Sequence, residues 1–222
     1  MKPKSKRSLS LLLFCFFLAV PLAADVIQFK ADSMSGNTGS GQETTVLSGR
    51  AWISTSDMEI NADRIELSGA NYDIITATGS INGINTESGF TFTAAKLSYD
   101  RRTDIVKLEG NVTLTDTEND VTASAYLIEY NQKTETAVLQ MNVKLVQKDS
   151  VCTAALATWR KEERMLEMSG TPKIVRNEDT FTAQEITFNM DTEEITLDGK
   201  VRGTVTDTSE RSDTSDTPEA AE

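Results

Sequence analysis

The sequence predicts an all-β fold, a solenoid-like stack of about six repeats of roughly thirty residues, each contributing two strands. Three observations predict it. Glycine recurs at Gly49, Gly79, Gly110, Gly170 and Gly199, with Met141 in the place of a missing member, at spacings of 30, 31, 31, 29 and 29. Alanine recurs independently at Ala31, Ala62, Ala94, Ala123, Ala154 and Ala183, at spacings of 31, 32, 29, 31 and 29. Around both markers polar and apolar residues alternate, the period of a half-buried strand.

The glycine strand is clearest in the third unit. Val106, Leu108, Val112 and Leu114 fall at even offsets from Gly110, and Lys107, Glu109, Asn111 and Thr113 fall between them. The same frame holds Leu139, Val143 and Leu145 around Met141, and Ile195, Leu197 and Val201 around Gly199. The alanine strand has Phe29, Ile60, Phe92, Val121, Cys152 and Phe181 two residues before the marker. Three after it stand Met34, Ile65, Leu97, Tyr126, Ala157 and Ile186, and five after it Leu67, Tyr99, Ile128, Trp159 and Phe188. That change from even to odd offsets predicts a bulge or corner near the alanine that turns the strand toward a neighbouring sheet. Polar turn-forming stretches at Ser54 to Asp57, Asp116 to Asp120 and Asn177 to Asp179 separate the strands. The charged cluster Arg160, Lys161, Glu162, Glu163 and Arg164 reads as a solvated hairpin tip.

The two ends differ from this pattern. Lys2, Lys4, Lys6 and Arg7 precede an apolar run from Leu9 to Val20 and a small-residue exit at Ala23-Ala24, the layout of a secretory signal over 1–24 with Asp25 as the mature start. Leu22, three before that cut, stands where a small residue is usual, so an uncleaved anchor is the alternative. From 204 to 222 the chain is almost wholly Thr, Ser, Asp and Glu, which cannot offset the entropy of ordering. The domain therefore spans 25–203, followed by an acidic disordered tail.

Composition excludes several functions. Without its four basic leader residues the net charge moves from −12 to −16, the wrong sign for nucleic acid or an anionic membrane face. The chain has no histidine, which removes His-dependent triads, bases and metal sites. Cys152 is the lone mature cysteine and sits in an inward column, a structural thiol. Glu162-Glu163 and Glu193-Glu194 lack the ligand spacing of a calcium loop. No catalytic residue, metal or cofactor is expected, and the sequence does not read as an enzyme. Trp52, at an odd offset, is expected to face outward.

A stack of such units buries a continuous apolar interior. On pattern alone that interior is an ordinary core, or a slot for lipid tails. The stretches Gly110-Asn111-Val112-Thr113-Leu114, Ile60-Asn61-Ala62-Asp63-Arg64-Ile65 and Phe92-Thr93-Ala94-Ala95-Lys96-Leu97-Ser98-Tyr99-Asp100 resemble the LptA/OstA-like family of periplasmic lipopolysaccharide-transport proteins, from about Val26 to Val201. That resemblance implies an open, twisted, two-sheet β-jellyroll whose interior takes the acyl chains of lipopolysaccharide or a related glycolipid. It also implies LptC-like inner-membrane and LptD-like outer-membrane partners and head-to-tail copies of the chain, joined by edge strands. The residues matching the inward pattern, and hence the lipid-facing candidates, are Ile60, Ile65, Phe92, Leu97, Leu108, Val112, Val121 and Leu127. An anchored LptC-like protein, an LptD-N-terminal-like component and a β-solenoid scaffold that binds no lipid share these residues as alternatives.

Overall fold

The structure, a computed structural model, describes residues 26–37 and 43–206. The leader over 1–24 and the tail beyond 206 lie outside the described residues. Eight long strands form the body: β3 (Thr44–Ser54), β4 (Met58–Ser68), β5 (Ile74–Asn85), β6 (Phe90–Asp100), β7 (Ile105–Asp116), β8 (Val121–Asn131), β9 (Thr136–Gln147) and β10 (Ser150–Arg160). Each pairs antiparallel with the next. At the ends the same crossing is broken in two. It is made by β1 (Gln28–Lys30) with β2 (Ser33–Asn37), then β11 (Met165–Ser169) with β12 (Lys173–Arg176). The last two are β13 (Asp179–Thr182) with β14 (Glu185–Asn189), and β15 (Ile195–Asp198) with β16 (Arg202–Thr204). Counting each broken pair as one crossing gives the dozen strands that the period predicts. One 16-stranded sheet results, and it never closes into a barrel.

Every long strand is interrupted near its middle. The register slips between Asn61 and Arg64, between Thr93 and Lys96 and between Glu109 and Val112, among others. On one strand the slip is a pair of residues with positive φ, such as Gly110 and Asn111. On its neighbour two successive residues face out, as Ala95 and Lys96 do between buried Ala94 and Leu97. These bulges line up across the sheet and form a crease. The sheet thus folds into two arms, arm A (44–48, 64–68, 74–78, 96–100, 105–109, 127–131 and onward) and arm B (51–54, 58–61, 81–85, 90–93, 112–116, 121–124 and onward). Contacts between arm tips, described below, bring the two arms face to face. Alanine is the corner residue because it faces in where the arms converge, and a larger side chain would have to share that space.

The crease explains the glycine repeat. Gly110 has φ +83, and a Cβ there would lie 2.9 Å from the Cβ of Ala95 on the adjacent strand. Met141 occupies the equivalent corner at φ +64, a conformation that costs a side-chain-bearing residue, and its side chain is left half exposed. Met141→Gly is therefore expected to stabilise the fold by about 1 kcal/mol, and Gly110→Ala to destabilise it by about 1–2 kcal/mol. Urea unfolding followed by circular dichroism checks both, and equal midpoints for the two variants would contradict the corner assignment.

One strand departs from the sequence-based frame. In β8 the corner alanine is Ala125, which pairs with Val112 as Ala94 pairs with Ile81. Ala123 lies two residues earlier on the same face. Tyr126 and Leu127 are then the two outward residues of the bulge, and the inward column resumes at Ile128, 1 % exposed. Leu127 is thus corrected to a partly buried outer position, and Tyr126, expected in the inward column, is exposed.

Candidate functional site

Seven of the eight sequence candidates point into the space between the arms. Ile60, Phe92 and Val121 come from arm B, with Val112 at its crease end, and Ile65, Leu97 and Leu108 come from arm A; all seven are buried in one hydrophobic cluster. The cluster continues to Cys152, Trp159, Ile174 and Phe188, so it runs through the stack rather than filling one repeat. Cys152 is fully buried, and burial pushes its thiol up to about 12. It remains protonated and inert, the structural thiol the sequence predicts.

The apolar column is uncovered at both ends. Phe29 pairs with Ile53 and Met34 with Leu47, so they share the inward face of the sheet. They are nonetheless 45 % and 60 % exposed, because no further layer of the described residues covers them. At the other end Ile195 and Leu197 are only partly buried against the cluster. Trp52 faces out, half covered, with Lys30 Nζ 4.9 Å from its ring centroid.

Opposite the crease the arm tips meet along a seam, which sequence reasoning does not identify. No backbone ladder crosses it among the described residues; side chains do. At the first station Asp57, in the β3–β4 turn of arm B, accepts hydrogen bonds from Tyr99 Oη (2.7 Å) and Gln132 Nε2 (2.9 Å), both on arm A. Thr55 donates to its other oxygen at 2.7 Å, and Asn85 from arm B donates to Gln132 Oε1. Burial raises the Asp57 carboxyl, but the donors Tyr99, Thr55 and Gln132 outweigh it and hold the group below its ordinary value. Tyr99, 2 % exposed, is pushed far above its ordinary range by burial and by that carboxylate.

The second station is aromatic. Phe90 of arm B lies edge-on to Tyr130 of arm A and tilted against Trp159, each with ring centroids 5.5 Å apart. Lys161 closes it from outside, 4.7 Å above the Phe90 ring and donating to the Ser88 carbonyl. The hairpin tip expected around Arg160 to Arg164 is in place, but Lys161 and Arg164 turn back to the seam. Further on, Arg164 donates to Asn119. At the last station Glu193 binds Lys148 at 2.9 Å and Arg176 at 3.6 Å. Four of these contacts, Tyr99–Asp57, Asn85–Gln132, Arg164–Asn119 and Lys148–Glu193, join residues 42 to 47 apart in sequence, one and a half repeats.

Nothing in this arrangement is a catalytic constellation: an apolar interior, exposed at its ends, is bounded by a crease on one side and a polar seam on the other. The class so defined is an open β-jellyroll built from repeated strand pairs. The chain belongs to the family described as "LptA/(LptD N-terminal domain) LPS transport protein", whose model matches residues 28–156 and again 128–194. A match that restarts before the first ends is what an internal repeat produces. The family is one of transport components, and the chain is not an enzyme. Among solved structures the chain is similar to LptH of Pseudomonas aeruginosa, the LptA-homologous periplasmic component of its lipopolysaccharide transport device. The identity is 9 %, over 82 % of this chain and 96 % of that one, with a TM-score of 0.26. No curated protein matches the chain.

Proposed function

We propose that this chain is a periplasmic carrier that holds the acyl chains of lipopolysaccharide, or of a related glycolipid, between its two arms and passes them from the inner toward the outer membrane. The observation that carries the reading is the apolar column that runs the length of the stack and, among the described residues, stays uncovered at both ends. A finished core has no use for such ends, whereas a path continued by a neighbouring molecule needs them. Burial of acyl surface at about 25 cal/mol per Å² supplies affinity without specific chemistry.

In this reading the leader over 1–24 is removed, the working domain is 25–203, and the acidic tail 204–222 follows it, its first residue, Thr204, still paired in β16. The free edges at β1–β2 and β15–β16 take strands from LptC-like and LptD-like partners or from further copies of the chain. Ile60, Ile65, Phe92, Leu97, Leu108, Val112 and Val121 face the lipid tails.

A photo-crosslinking residue at position 92, buried between the arms, is compared with one at position 107, whose side chain is 43 % exposed on the outer face. The expected result in the native envelope is a glycolipid adduct at 92 and none at 107. A folded protein with no adduct at either position would point instead to a dry scaffold.

A further inference from the structure

We propose that the seam is a lateral gate, a series of side-chain latches that part and reclose in turn around the headgroup of a lipid whose tails lie between the arms. The proposal rests on the carrier reading and adds how cargo gets in and moves.

The physical problem is the headgroup. Acyl chains can replace apolar contacts inside, but a charged, hydrated headgroup cannot follow them into the interior without a large desolvation cost. It must project through an opening, and the crease offers none because continuous strands cross it. The seam is the one long boundary that no backbone ladder crosses among the described residues. Its closure consists of side-chain contacts, and the polar ones among them can exchange for water or for headgroup oxygens.

Two further observations favour a polar visitor there. Among the described residues, the buried side-chain donors without a hydrogen-bond partner are Trp159 Nε1 and Arg176 Nε. Both belong to seam stations, Trp159 tilted against Phe90 and Arg176 beside Glu193. Buried donors are ordinarily satisfied, and the carbonyl and phosphate oxygens of an acylated, phosphorylated headgroup are acceptors. The cations Lys148, Lys161, Arg164 and Arg176 also gather here, on a chain whose net charge is −12.

The stations are unequal. The Asp57 knot is partly to fully buried and multiply bonded. The Lys148–Glu193 pair is open to solvent, with Lys148 58 % and Glu193 41 % exposed, and exposed pairs hold weakly. The gate therefore opens most readily at the C-terminal half and is pinned at the N-terminal half.

The test uses the full chain carrying the photo-crosslinker at position 92 and the cysteine pair N119C/R164C, whose parent residues are in contact. Buried Cys152 stays in place. With the pair left unbridged, the glycolipid adduct is expected to equal that of the parent; with the pair bridged by a bis-maleimide that carries a reducible link, the adduct is lost, and reduction of that link restores it. A second bridge, K148C/E193C, is expected to give the same loss. An undiminished adduct in either bridged protein, shown to be folded by its circular dichroism, would mean that lipid threads through the ends and would overturn the gate while leaving the carrier intact. Absence of the adduct from the unbridged parent would instead overturn the carrier reading, and the gate with it.

Discussion

Truncating Ile128 to alanine is expected to lower the unfolding free energy by about 2–5 kcal/mol, whereas Leu127→Ala, one residue earlier, costs under about 1 kcal/mol. The two side chains are adjacent in sequence and almost equal in size. They differ only in the side of the sheet on which the β8 bulge leaves them. Ile128 is 1 % exposed and opposes Leu108 and Leu139 on the flanking strands, so its removal leaves a cavity walled by two paired strands that cannot easily collapse. Leu127 is only partly buried on the outer face, pairs with Glu109 and Gln140 at the crease, and loses little on truncation. Chemical denaturation with both probes of the transition, circular dichroism and tryptophan emission, measures the pair. A reversed order would mean that the alternation of Val121, Ala123 and Ala125 runs on unbroken through Leu127, with no bulge before Ile128.

The same pair shows how far the sequence can be read. Period-two alternation, the turn residues and the thirty-residue spacing are local signals, and they locate every long strand and seven of the eight inward candidates. The corner in β8 is not local information. Ala123 and Ala125 both face in, both are small, and only the cross-strand partner, Val112 against Ala125, tells which one lies at the crease. The seam is less legible still. Apart from Arg176–Glu193, its contacts join residues between 40 and 75 apart, between strand tips that share no ladder. Their residue types, Asp57, Asn85, Asn119 and Gln132, are those found in any turn. Tyr99 stands in the inward column like its apolar neighbours, and nothing in the alternation marks its hydroxyl as a donor to Asp57. The arms' meeting fixes these roles, and that meeting depends on the bend of all the strands together.

The largest effect expected at the seam follows from Asp57. Asp57→Ala removes the acceptor of Tyr99 and Gln132 and leaves a buried hydroxyl and a half-buried amide without it, a loss of about 2–3 kcal/mol at neutral pH. Asp57→Asn keeps the shape but not the charge, and retains part of the stability. Charge also sets the pH dependence. The folded-state pKa of Asp57 is held below its ordinary 3.8, by hydrogen bonds that outweigh burial. The stabilisation from its charge is therefore complete above about pH 4 and is lost as pH falls through the lowered folded value. The difference in unfolding free energy between the native chain and Asp57→Asn should accordingly be constant from neutral pH down to about pH 4 and shrink below it. Urea titrations across that range measure it, and Tyr99→Phe supplies the cycle that isolates the 2.7 Å bond. A difference that grew on acidification, or a Tyr99→Phe effect simply additive with Asp57→Asn, would mean that the carboxylate and the phenol do not hold the arms together.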